Sequence, residues 1–201
     1  MKWALLAGAG LFIIAYSLSL PRAPAAYENP TSRVVGGRVW FSEGHYAALP
    51  MPEAQKRVVI SLLHTPRPMR FGEFLWNDRN VPEGRIWLRV DLKTQMLSVF
   101  RGDHEIGTAV VLYGTDGKPT PAGLFPVLER QKEHRSSLYD AEMPYMLRLT
   151  NDGVAVHASD VQQGSATHGC IGVPLPFARL LYSQVKRGDV VAILGAVEPR
   201  A

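Results

Sequence analysis

The sequence predicts a mainly β, sandwich-like domain with one or two short helices, preceded by an N-terminal apolar segment. Three observations carry this prediction. Ile86, Leu88, Val90 and Leu92 alternate with Trp87, Arg89 and Asp91, the period of a half-buried strand. Further short apolar runs follow, each bounded by Gly, Asp, Asn or Pro. Only one stretch, with Phe177, Leu180, Leu181 and Val185, spaces its apolar residues as one face of a helix.

The elements divide the chain into residues 1–25, 26–84 and 85–195. In the first part, Lys2 precedes an apolar run from Trp3 to Leu20, followed by Pro21-Arg22 and Ala23-Pro24-Ala25. A positive start, an apolar stretch and small residues describe a secretory signal. The run is also just long enough to span a bilayer, so a retained inner-membrane anchor is the rival reading. Either one delivers the rest to the periplasm or cell envelope.

Residues 26–84 are rich in Pro and Gly and read as a stalk or pre-domain segment packed on the following domain. Val58–Leu63 reads as a short strand or a helix end, stopped by Thr65-Pro66-Arg67-Pro68, because Pro lacks an amide donor and constrains its predecessor. Trp40 and Trp76 read as packing residues.

From Arg85 a β-meander is expected: the strand at 86–92, a turn at Lys93-Thr94-Gln95, a strand from Met96 to Arg101, and a third from Ile106 to Leu112. A loop follows at 113–119, then a tight turn at Thr120-Pro121-Ala122-Gly123 leading into Leu124–Val127. Arg130–Pro144 is polar and aperiodic, and a loop of that length commonly serves as a lid. Tyr139, Met143 and Tyr145 there are either core or substrate-facing residues. Strands are expected at Tyr145–Leu149 and Val154–His157. The helix closes at Gly188-Asp189, before a last strand at Val190–Leu194.

Apolar residues make up 46% of the 201 and charged residues 20%, the composition of a chain able to bury a core without metal or disulfide staples. The net charge is +4, but Lys56-Arg57 and Lys186-Arg187 are the only adjacent basic pairs, so no nucleic-acid stripe is present. A single cysteine, Cys170, excludes an intramolecular disulfide and a Cys-rich metal site.

A lone cysteine is usually a small buried hydrophobe, and Cys170-Ile171-Gly172-Val173 fits a buried strand. The polar neighbourhood supports another reading. His157 ends an expected strand, and a Gly/Gln/Ser loop separates it from Thr167-His168-Gly169-Cys170. A thiol attacks as thiolate and needs a base or positive neighbour. His157 supplies the base. Gly169 lets the backbone approach a carbonyl, and amides at Gly169 and Cys170 suit an oxyanion hole. His168, two residues before Cys170, shares its face if the segment is a strand. Zinc on His157, His168 and Cys170 is an alternative, with a spacing that fits no structural-zinc signature. His64, His104 and His134 read as surface or turn residues.

These motifs resemble the L,D-transpeptidase family (the YkuD-type catalytic domain), whose signature is an upstream His, a loop, and Ser/Thr-His-Gly-Cys. The hairpin at 86–101, the stretch Thr120–Val127 and Gly188-Asp189-Val190-Val191 resemble the family in order and spacing over about 110 residues. The resemblance implies Cys170 as nucleophile, His157 as acid/base, and Thr167, His168 and Gly169 as residues that organise the oxyanion and substrate. It implies acyl transfer on peptidoglycan stem peptides, with no cofactor, by a monomer. Gly172 departs from the family's Arg or Asn. That departure leaves open hydrolysis by the same site, as in an L,D-carboxypeptidase or endopeptidase, and a wall-binding module without catalysis.

Overall fold

The structure is a computed structural model that describes residues 31–47, 49, 51, 57–114, 117–136 and 140–195. The apolar run at 3–20 and Tyr139 lie outside the described residues. Among the described residues, no helix is long and apolar enough to cross a membrane.

Thirteen strands and one helix are described. They are β1 (Ser32–Val35), β2 (Arg38–Phe41), β3 (Ser61–Leu63), β4 (Phe74–Trp76), β5 (Ile86–Asp91), β6 (Met96–Arg101) and β7 (His104–Val110). Then come β8 (Gly123–Pro126), β9 (Glu129–Gln131), β10 (Met146–Arg148), β11 (Ala155–Ala158), β12 (Ile171–Val173), α1 (Leu175–Gln184) and β13 (Val190–Leu194). A nine-stranded sheet runs β1-β2-β3-β7-β6-β5-β13-β8, with β4 also paired to β7. A four-stranded sheet runs β12-β11-β10-β9.

The expected meander is the centre of the large sheet. β5 pairs β6 antiparallel from Ile86↔Arg101 to Asp91↔Met96, and β6 pairs β7 with a bulge at Val99/Phe100. Alternation predicted one buried face, and the structure buries both. Leu88, Val90, Val99 and Ile106 face the main core, which also takes Leu147, Val156, Ile171, Val173, Phe177 and Leu181 from the small sheet and helix. On the other face Trp87, only 2% exposed, stacks on Phe100 with centroids 4.0 Å apart. Val59, Leu49, Met51 and Leu62 cover this pair. Arg89, expected to be solvated, is 8% exposed and pairs with Asp91 at 2.7 Å.

The cover comes from residues before Arg85. β1 to β4 continue the large sheet, with β3 and β4 both lying along β7. A buried polar cluster joins them to it. The Arg38 guanidinium donates to Ser61 Oγ, to the Glu105 carbonyl and to the Asn77 carbonyl. Glu105 Oε2 accepts the Leu63 N–H at 2.8 Å. Burial pushes the Glu105 carboxyl upward, and Arg38 opposes that shift.

Over its described residues, the polar stretch 130–144 forms the two arms of a hairpin rather than an open loop. β9 pairs β10, and a bridge between Arg135 and Glu142 extends the two arms. Backbone bonds such as Met143 N–H to the His134 carbonyl replace the side-chain periodicity that sequence reading looks for. The helix ends at Val185 rather than Gly188, and Asp189 accepts the Lys186 N–H in the turn that follows.

Candidate active site

The positions of His157 and Cys170 follow from strand direction. β11 and β12 are neighbours and run parallel, so the chain must cross over between them. The crossover, residues 159–170, delivers Cys170 to the start of β12. The register sets Val156 opposite Ile171 and His157 opposite Gly172. Val156, Ala158, Ile171 and Val173 face the core. The alternate residues Ala155, His157 and Cys170 therefore share the opposite face. There a cavity of about 400 Å³ is lined by His157, His168, Thr167 and Cys170, with Lys118, His134, Met143, Asp152 and Ser159.

His157 Nδ1 lies 2.8 Å from the Ala158 carbonyl oxygen, an acceptor only, so Nδ1 carries the proton and Nε2 keeps its lone pair. Ser159 Oγ stands 3.4 Å from the same Nδ1. Burial holds the imidazole below its ordinary value, against the Ala158 carbonyl, which raises it. Burial pushes the Cys170 thiol up, while the Ala155 backbone and Lys118 pull it down. Burial therefore works against charge on both the thiol and the imidazole.

The segment before Cys170 is not a strand, so the expected shared strand face of His168 and Cys170 is not the arrangement found. His168 is exposed on a turn beside the cavity. The turn requires Gly169, whose φ is +101°, a value L side chains rarely adopt. Thr167 Oγ1 donates to the Cys170 carbonyl at 2.5 Å, and Thr167 N–H to the Tyr113 carbonyl at 3.0 Å.

Thr120, from the Thr-Pro-x-Gly stretch, explains why that stretch accompanies the cysteine. Its buried hydroxyl accepts the Gly114 N–H at 2.9 Å and donates to the Gly169 carbonyl at 2.9 Å. Gly114 packs against this turn so closely that a Cβ there would meet Gly169 at 2.7 Å. Sequence reading took Thr120 as part of a turn and missed this role.

Gly172 also has a local reason. A Cβ there would lie 2.8 Å from Ser159 Cβ and Oγ. Ser159 occupies the space that a larger residue opposite His157 would need. His134, expected at the surface or in a turn, is half-buried in the segment after β9 and lines the cavity. Met143 is buried and lines the same cavity, while half-buried Tyr145 meets Tyr182 edge to face. Among the described residues, no group of three or more His, Cys, Asp or Glu side chains is placed to hold a metal ion.

The family model of the YkuD L,D-transpeptidase catalytic domain matches residues 85–193. L,D-transpeptidase 2 of Mycobacterium tuberculosis is 25% identical over 148 residues, which are 63% of this chain and 36% of that protein. The chain thus spans little more than a third of that relative's length. Among solved structures, an L,D-transpeptidase from Mycobacterium smegmatis superimposes with TM-score 0.53 at 20% identity, over 56% of this chain and 59% of its own. One from Stackebrandtia nassauensis gives TM-score 0.52 at 24% identity, over 57% of each chain. At these identities the structures establish a common fold. With the profile covering more than half of its residues, the chain belongs to the L,D-transpeptidase family, through a YkuD-type catalytic domain.

Proposed function

We propose that this protein is a peptidoglycan L,D-transpeptidase that transfers acyl groups through a thioester on Cys170. The observation that carries the reading is the parallel β11–β12 register, which places the only cysteine and His157 on one cavity wall. The donor is a tetrapeptide stem, cut at the carbonyl of an L-centre such as that of meso-diaminopimelate. Cys170 Sγ attacks that carbonyl while His157 Nε2 takes the thiol proton. Because burial works against charge on both groups, the proton moves with the attack rather than before it. The turn at His168-Gly169-Cys170, held by Thr120 and Thr167, presents backbone amides to the oxyanion. The C–N bond breaks, and His157 returns its proton to the departing D-amino acid. An amine of a neighbouring stem then takes the acyl group. The apolar run at 3–20 exports the domain or anchors it at the inner membrane, where this substrate lies.

Incubation of the protein with purified disaccharide-tetrapeptide, followed by mass spectrometry, tests this. The expected products are a crosslinked dimer and a free D-amino acid, with an acyl adduct on Cys170. Cys170→Ala should yield none of these. Equal turnover by Cys170→Ala overturns the proposal, and a hydrolysed stem as the sole product makes the enzyme a carboxypeptidase.

A further inference from the structure

The cavity holds a second histidine whose orientation the structure fixes. His134 stands on the hairpin beyond β9, and its Nδ1 lies 2.7 Å from Gln131 Oε1. Which way the Gln131 amide points is decided by its other contact. Gln131 Nε2 is 2.6 Å from Glu129 Oε1, which Arg148 also engages through Oε2 at 2.8 Å. Hydrogen bonds from Gln131 and Arg148 hold the Glu129 carboxyl below its usual range, so it is ionised and accepts only. Gln131 therefore turns its NH2 toward Glu129 and its oxygen toward His134. An oxygen facing Nδ1 requires the proton on Nδ1. The lone pair is then on Nε2, and among the described residues Nε2 makes no hydrogen bond.

His134 thus repeats the arrangement of His157: Nδ1–H tied to an oxygen, Nε2 unengaged, both side chains lining one cavity. Across the cavity, His134 disfavours charge on His157. The other ionisable groups on the wall are Glu142, Asp152 and Asp160, with Lys118, His168 and Cys170. Three carboxylates, of which Arg135 pairs Glu142, outnumber the one lysine. That balance favours an arriving cation over an anion.

We propose that His134 is a second base, which accepts a proton from the ammonium group of the acyl acceptor. The inference rests on the transpeptidase reading above and concerns its second half. Proton counting gives the reason for two bases. An acceptor ammonium must lose two protons to become an amide nitrogen. His134 Nε2 takes the first, leaving a neutral amine, and later releases it to solvent. The amine nitrogen forms the C–N bond to the thioester carbon. His157 takes the second proton as the C–S bond breaks, and passes it to the sulfur that leaves with the electron pair. Water, as a competing acceptor, loses only one proton on the way to the acid and needs only His157.

The test is the ratio of transfer to hydrolysis as a function of pH, measured by mass spectrometry with one tetrapeptide donor and a stem-amine acceptor. Near pH 7, His134→Gln should lower this ratio by about a hundredfold or more, the scale of a lost general base. The ratio should converge on that of the wild type as pH nears the ordinary amine value of about 10.4. Gln131→Ala, which frees the Nδ1 proton from its acceptor, should shift the ratio in the same direction by less. A ratio equal to that of the wild type at every pH overturns the inference, as does one lowered equally at every pH, because a structural defect would not be relieved by alkali. Nitrogen NMR of the wild type gives an answer that needs no variant: His134 carrying its neutral proton on Nε2 overturns the proposal. A wild type that forms no thioester overturns the transpeptidase reading itself. A wild type that transfers, with an unchanged His134→Gln profile, overturns this inference alone.

Discussion

Burial holds Cys170, the proposed nucleophile, toward its protonated form. Burial raises the thiol more than Lys118 and the Ala155 amide lower it, and burial lowers His157 at the same time. Burial thus works against a thiolate–imidazolium pair formed in advance of the substrate. Only thiolate alkylates, so a raised thiol keeps the rate low at neutral pH and lets it climb as pH passes the folded-state value. The rate of iodoacetamide labelling of Cys170, followed by intact mass, should therefore still be rising above pH 9, the ordinary thiol value. A plateau near neutrality would mean that a preformed ion pair exists. Cys170, His157 and Gly169 were legible because they stand in one local motif. Thr120 and His134 were not. Thr120 acts on Gly169 across 49 positions, and the meaning of His134 depends on a hairpin held by backbone bonds without side-chain periodicity.

At the scale of elements, the site is a parallel strand pair with an asymmetric filling. Ser159 follows β11 and fills the space above Gly172 in β12. Gly172→Ala should cost about 1–3 kcal/mol through crowding, read by denaturant unfolding. Ser159→Gly removes the atoms that the new methyl would meet. The double variant should recover most of that loss, giving a coupling of about 0.5–3 kcal/mol. Additive losses would show that the two positions do not interact. The strands themselves were largely legible, since β6 and β13 occupy the expected residues. Their partners were not, because period-two patterning assigns faces but says nothing about which strand lies alongside. The departure at Gly172 could be read from the motif, whereas its cause, Ser159, required the β11–β12 register.

At the scale of the molecule, the large sheet is continuous from β1 to β8, and the segment before Arg85 supplies one of its two coverings. Sequence reading gave that segment no function because its strands are three or four residues long and broken by Pro and Gly. Trp87 shows what it does. The alternation marked this residue as solvent-facing, and it is buried because Val59, Leu49 and Met51 lie over it. Its Nε1–H also donates to the Gly102 carbonyl at 2.8 Å. Trp87→Ala should destabilise the protein by about 3–5 kcal/mol, measured by thermal or denaturant unfolding, and an unchanged midpoint would mean that this face carries little of the fold. The Arg38 cluster adds a consequence for ancestry. The match to the family's catalytic domain begins at residue 85, yet the guanidinium that satisfies the Glu105 and Asn77 carbonyls is at residue 38. The border of the matched domain and the border of the packed interior differ here. A gene fusion or truncation drawn at residue 85 would sever a shared interior, leaving Trp87 and Phe100 open to water.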